Sequence, residues 1–403
     1  MTAPIKPLAL PKVDRLPRSI WALMLGNFVI GTGVMVVPGT LNEIARSLAV
    51  SVPQAGMLIT AGAILMGAGA PLFAALVAGW DRRKLLALCL LWYGLTMGAS
   101  AFAPSYGWLL ALRIITVVAP PIFTPQAAAS VGLLVPEHLR GRAITFAFLG
   151  WSVASVLGVP LAAWIGGTLG WRWSFGLTGV MSLLCAAWVW RELPNGLRTP
   201  ALSRQAWGQA LGSPAIMLTV AVTLVSSSGQ FTLFAYFAPY LEEVMSASPT
   251  ELSLMYLWLG AFGVVGNMLI SHRIDRLGPS RAVAICLAAM AVSLLMFPLG
   301  LPHLGLLAVV MLPWAASIFA SNSAQQARLV HLDPGLASAT ISLNSSAIYA
   351  GQAIGAAAGG AIIASGHMAQ LNYPAFALLT VSLAISIWAA KIQKRKTQPA
   401  PQA

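Results

Sequence analysis

Apolar residues occupy this chain in long unbroken runs, without the strict alternation of a half-buried strand or the two-faced pattern of a soluble helix. Between breaks of charge, Pro or Gly, the runs cover residues 19–40, 54–79, 85–103, 108–135, 142–167 and 174–191, then 213–237, 250–271, 281–299, 305–327, 336–364 and 371–391. A hydrocarbon layer about 30 Å thick demands roughly 20 apolar residues of a helix that crosses it. Each run therefore predicts one membrane-spanning helix, twelve in all, in two sets of six. Spanning β-barrels need strands of about ten residues with alternating hydrophobicity, which continuous Leu, Ala, Val and Gly do not provide. The expected organisation is a cytoplasmic tail over 1–18, a six-helix bundle over 19–191, a cytoplasmic linker over 192–212, a second bundle over 213–391 and a tail over 392–403. The fold class expected is all-α integral membrane, with two pseudo-symmetric bundles.

Composition agrees: 58% of the 403 residues are hydrophobic and 8% are charged. The formal charge of +13 raises nucleic acid as a partner, until its placement is considered. With the amino terminus inside, every Lys and Arg except Arg46, Arg172 and Arg113 falls in a cytoplasmic segment. That bias follows the positive-inside rule and puts both termini in the cytoplasm of a bacterial-type inner membrane. The expected partners are a lipid bilayer and a small-molecule substrate, with no nucleic acid and no basic soluble face to bind one. The amino-terminal stretch lacks the compact pattern of a secretory signal, so the first span is read as retained. Cys89, Cys185 and Cys286 stand alone in apolar runs, without the spacing of a metal or redox site, and no cofactor is expected.

The run "GWSVASVLGVPLAAWIGG" carries Gly150, Ala154, Gly158, Ala162 and Gly166 at four-residue intervals, with Pro160 among them and Gly167 beside the last. In lipid, small residues at this spacing let helix backbones approach closely, and Pro160 removes a backbone hydrogen bond and bends the rod. Generic helix packing explains the stripe alone. Together with Pro160 and the paired Gly166 and Gly167, the segment resembles the fifth-helix antiporter motif of the major facilitator superfamily, in the form found in its drug/proton antiporter branch of bacterial sugar, purine and drug efflux permeases. The family pattern has Gly directly before Pro; here Val159 intervenes.

That resemblance implies a secondary active transporter with no enzymatic activity, working as a monomer by alternating access and exporting its solute in exchange for protons. It also implies conformational roles for Gly158, Pro160, Gly166 and Gly167 and for two charged loops. One loop reads "AGWDRRKLL", with Asp81 and Arg82 but without the family's Gly; the other, "SHRIDRLGPSR", is a cleaner copy with Asp275, Arg276 and Gly278. Topology marking is the plainer role for both.

Arg113 is the one charge well inside a predicted span, where insertion costs roughly 2.5–3.5 kcal/mol. It is a candidate for proton coupling or for an electronegative part of the substrate; alternatively it snorkels outward or caps a carbonyl. No acid lies at membrane depth. Glu43, just past Pro38 and Gly39, is the outer candidate for a proton relay, against the plainer alternative that it faces water.

Substrate sites in transporters of internal repeats lie near the midplane between the halves. The polar groups expected there are Asn27, Thr124, Gln126, Ser227, Gln230, Tyr236, Asn322, Asn344, Tyr349 and Gln352, each equally suited to hydrogen-bonding helices together. Trp151 and Tyr256 offer stacking faces. Neutral amides, hydroxyls and rings suit an uncharged or weakly anionic solute such as a sugar, nucleoside, base or drug. A facilitator or importer of the same fold is the alternative, and a membrane sensor or scaffold a more distant one.

Overall fold

The computed structural model describes residues 16–77, 79–136, 139–198, 204–301 and 303–397. Twelve helices are long and apolar enough to cross a membrane: α1 (Arg18–Gly39), α2 (Val52–Ala70), α3 (Arg82–Ala101), α4 (Tyr106–Leu134), α5 (Arg142–Leu169), α6 (Trp171–Glu192), α7 (Pro214–Met245), α8 (Pro249–Leu277), α9 (Pro279–Gly300), α10 (Leu304–Leu332), α11 (Ala339–Ala364) and α12 (Met368–Ile392). Large apolar side chains stand exposed along them, among them Ile64, Trp108, Leu184 and Met268. A soluble core would hide such residues; a bilayer solvates them.

Each set of six forms one bundle, and the second repeats the packing of the first. In the first, α1 packs on α5 and α3 on α6; in the second, α7 packs on α11 and α9 on α12. Where α1 ends, the short helix Leu41–Ser47 follows, and where α7 turns at Ala235 and Tyr236 the helix Phe237–Met245 takes the corresponding place. Between the bundles, α2 lies along α11 and α5 along α8.

The small-residue stripe of α5 divides its work. Gly158 and Gly166 face Thr32 and Thr40 of the α1 region, within their own bundle, whereas Gly167 faces Pro249 of the other. Gly260 of α8 abuts the backbone of Ser155 and Val156, so the close approach between bundles depends as much on a glycine of α8 as on the stripe itself. Only part of the motif lies between the halves, because a four-residue spacing on a helix of 3.6 residues per turn drifts around the rod. Ahead of Pro160, where a bend is expected, α5 holds a π-helical turn over Ala154–Gly158, in which the Val159 amide donates to the Ala154 carbonyl five residues back. A wider turn just ahead of a residue that has no amide is a recognised way for a helix to absorb the defect.

Candidate functional site

In the first bundle the Trp151 indole N–H donates to Thr124 Oγ1 (3.2 Å), the Thr124 hydroxyl donates to Asn27 Oδ1 (2.9 Å), and Asn27 Nδ2 donates to the Ala147 carbonyl (3.1 Å). The second bundle has its own chain: Thr223 Oγ1 donates to Asn344 Oδ1 (2.6 Å), and Asn344 Nδ2 donates to Asn322 Oδ1 (3.4 Å). The two networks occupy corresponding places. Asn27 and Thr223 stand equally far past the starts of α1 and α7, Thr124 and Asn322 past the starts of α4 and α10, and Ala147 and Asn344 past the starts of α5 and α11.

Asn27 and Asn344 are buried, but Thr124, Trp151, Asn322, Tyr349 and Gln230 are only half-buried. Polar groups left open at membrane depth face a water-filled space or the bundle interior, since lipid offers them no partner. Gln126, Ser227 and Gln352 are buried. The Gln230 side chain turns back to the Ser226 carbonyl (3.4 Å).

Two tyrosines singled out in the sequence bond backbone carbonyls. Tyr236 is buried against the backbone of α11, donating its hydroxyl to the Ala356 carbonyl (2.8 Å) and covering Gly360. Tyr256, expected to offer a stacking face, donates to the Pro38 carbonyl (3.1 Å) and packs edge-on to Phe234 and Phe237. Both sit where the bundles meet.

Arg113 is buried, and its guanidinium donates to the carbonyls of Gly33 (2.9 Å) and Val34 (2.8 Å) in α1. Of the alternatives open in the sequence, this geometry corresponds to carbonyl capping. Arg113 does not stand alone as a buried charge, however. Arg82 and Arg328 are buried too, and Arg82 donates to the Val77 carbonyl (3.1 Å) ahead of α3. Asp81 caps α3 through the Lys84 amide (3.1 Å) and accepts from the Gly196 amide (2.5 Å), tying the loop to the segment after α6. In the second loop Asp275 and Arg276 are exposed, and Gly278 joins α8 to α9 with a φ of 79°, a conformation that favours glycine.

Hydrogen bonds that join the two bundles cluster at one end. Besides the Tyr256 bond to Pro38, the Ser253 hydroxyl donates to the Pro160 carbonyl (2.8 Å), Asn42 Nδ2 donates to Glu242 Oε2, and Arg46 bridges Glu242 (2.8 Å) and Glu43 (3.1 Å). These are the two ion pairs among the described residues. Burial holds the Glu43 carboxyl above its ordinary range, against the lowering influence of its own backbone amide and of Arg46. The sequence singled out Glu43 but not Asn42, Arg46 or Glu242, which only the meeting of the bundles brings to it. It also passed over Thr223, whose one signal was its place in the repeat opposite Asn27.

Paired bundles with repeat-related polar groups inside their spans and a closure at one end define a membrane carrier. The Major Facilitator Superfamily pattern matches residues 23–355, and the chain belongs to that family of membrane transporters. It is 33% identical over 350 residues to the inner membrane transport protein YdhP of Escherichia coli strain K12, covering 86% of this chain and 88% of that protein. It is 28% identical to a chloramphenicol resistance protein of Streptomyces lividans, over 67% of this chain and 70% of that one. Among solved structures, a bacterial homologue of the human lysosomal transporter Spinster, in an inward-facing and unoccupied conformation, superposes with a TM-score of 0.77 at 18% identity, covering 95% of this chain and 98% of that one.

Proposed function

We propose that this transporter exports a small uncharged or weakly anionic organic solute, such as a sugar, nucleoside, base or neutral drug, across the inner membrane in exchange for protons, with both tails in the cytoplasm. The observation that carries the proposal is the pair of neutral polar networks, Asn27–Thr124–Trp151 and Thr223–Asn344–Asn322, at matching depth in the two bundles. Amides, hydroxyls and an indole recognise hydroxyls, carbonyls and ring faces of a solute, and no embedded acid stands ready for a multivalent cation. The likeness to a chloramphenicol resistance protein supports efflux of a neutral compound.

The closure supports alternating access. With the tails in the cytoplasm, the end fastened by Ser253, Tyr256, Asn42, Arg46 and Glu242 is the outer one, and solute enters from the cytoplasm. Opening that face breaks these contacts while the bundles rock as units, with Gly158, Pro160, Gly166 and Gly167 of α5 and the two charged loops adjusting at their flanks. Glu43 supplies the proton site: it is exposed as the outer face opens and favours the neutral carboxyl when buried on closing.

Reconstitution in proteoliposomes tests the whole cycle. With a panel of sugars, nucleosides and neutral antibiotics and a lumenal pH probe, one solute should move only with an opposing proton flux. Solute movement with no proton flux would leave a facilitator, and co-directional flux an importer; either removes the exchange.

A further inference from the structure

At the end of the molecule opposite the closure lies another of the buried cations, with no ion pair to an acid among the described residues. Arg328 of α10 is only 2% exposed. Its terminal nitrogens donate to Ser386 of α12, one to the hydroxyl (3.0 Å) and one to the carbonyl (3.3 Å), while Nε has no partner. Both ion pairs among the described residues belong to Arg46, and among those residues no carboxylate pairs with Arg328. The nearby Asp333 turns its Oδ1 to the amides of Gly335 and Leu336. Asp275 stands exposed at the end of α8.

Arg328 lines a recess of about 170 Å3 with Pro279, Ser280, His331 and Leu332. Pro279 and Ser280 open α9, whose N-cap is Gly278 with no side-chain cap, and whose first turn holds no acid. The Ala282 amide bonds back to Gly278 (3.1 Å), which leaves the amides of Ser280 and Arg281 among the unpaired donors of that helix end. The same terminus carries the positive end of the helix dipole. His331 bonds the Ala327 carbonyl through Nδ1 (2.8 Å), so its Nε2 remains open for a further contact.

Two independent features, an uncapped helix start and a buried guanidinium, thus converge on one small hollow. Its size falls well short of the roughly 300–1,000 Å3 of a drug-sized pocket. We propose that this recess binds a phosphate-bearing anion, with oxygens on Arg328 and on the first amides of α9. A headgroup of an anionic phospholipid in the adjacent leaflet and free phosphate share that chemistry, and basic hollows between helices at this depth are suited to the former. The inference stands whatever solute the central site carries.

Thermal unfolding of the purified full chain in detergent tests it, with phosphatidylglycerol, phosphatidylcholine or inorganic phosphate as the added probe. Phosphatidylglycerol should raise the midpoint well beyond phosphatidylcholine; a rise with inorganic phosphate alone assigns the free ion instead. Arg328→Gln should weaken the apparent affinity for the effective probe at least tenfold. Ser280→Glu retains Arg328 and places a tethered carboxylate at the recess, so it should unfold at a higher midpoint without any probe and no longer respond to one. Equal responses to both lipids with none to phosphate, no response to any probe, or an undiminished response in Ser280→Glu would each overturn the proposal.

Discussion

The guanidinium of Arg113 donates to the carbonyl of Val34, the oxygen that Pro38, four residues further along α1, leaves without an amide. A defect in one helix is thereby repaired by a charge from another. The arrangement explains how a buried cation persists at membrane depth: two carbonyls of α1 receive it.

Coupling between these positions is testable. Arg113→Leu should destabilise the protein by about 1–3 kcal/mol or more, the penalty of leaving buried carbonyls unpaired. In a Pro38→Ala background the amide returns to Val34, and part of that loss should disappear. Equal losses in both backgrounds, measured by thermal unfolding, would show that the two residues act separately.

Enlarging the glycines of α5 and α8 should separate folding from cycling. Gly158 faces Thr32 inside one bundle, so Gly158→Leu should lower the yield of folded protein. Gly260 abuts Ser155 and Val156 across the interface, so Gly260→Leu should leave more folded protein whose outer face fails to close. Accessibility of an engineered outer-face cysteine to a membrane-impermeant thiol reagent reads the difference.

The bridge from Arg46 to Glu242 joins the bundles with both side chains partly in water, 63% and 35% exposed. Exposed pairs contribute about 0–1 kcal/mol. Glu242→Gln should therefore shift the population toward the outward-open form by less than about fivefold, an amount that added salt reduces in the wild type and not in the variant.

Acidification should act on the same face through Glu43. A carboxyl whose pKa is raised in the closed form binds a proton more readily there than in the open form. The closed form is thus favoured as pH falls through the raised value, and this contribution saturates once pH lies below the ordinary carboxylate range. Glu43→Gln should flatten that dependence in the cysteine-accessibility profile; an unchanged profile would assign the proton to another group.

Parts of the site were legible before any tertiary contact was known. Asn27, Thr124, Asn322 and Asn344 stood out because an amide or hydroxyl in a long apolar run demands a partner, and all four lie in the networks. Tyr236 stood out for the same reason and Tyr256 for its stacking face, yet both hydroxyls answer backbone carbonyls at the bundle interface. Polarity in a span signals that a partner exists without saying which. Arg328 looked like an ordinary basic residue near a helix end, and only the packing of α10 beside α12 buries it.

By itself, the sequence determined the twelve spans and their division into two sixes, because the bilayer imposes its thickness on any helix that crosses it and apolar length is read directly along the chain. Which side chains meet was decided only in the tertiary structure. The distance between Glu43 and Glu242, the carbonyls that receive Arg113 and the division of the α5 stripe between two neighbours all depend on how rods rotate and lean against one another. In a membrane, where nearly every residue of a span is apolar, the sequence carries little periodic contrast to specify that rotation, and close packing with hydrogen bonding must specify it instead.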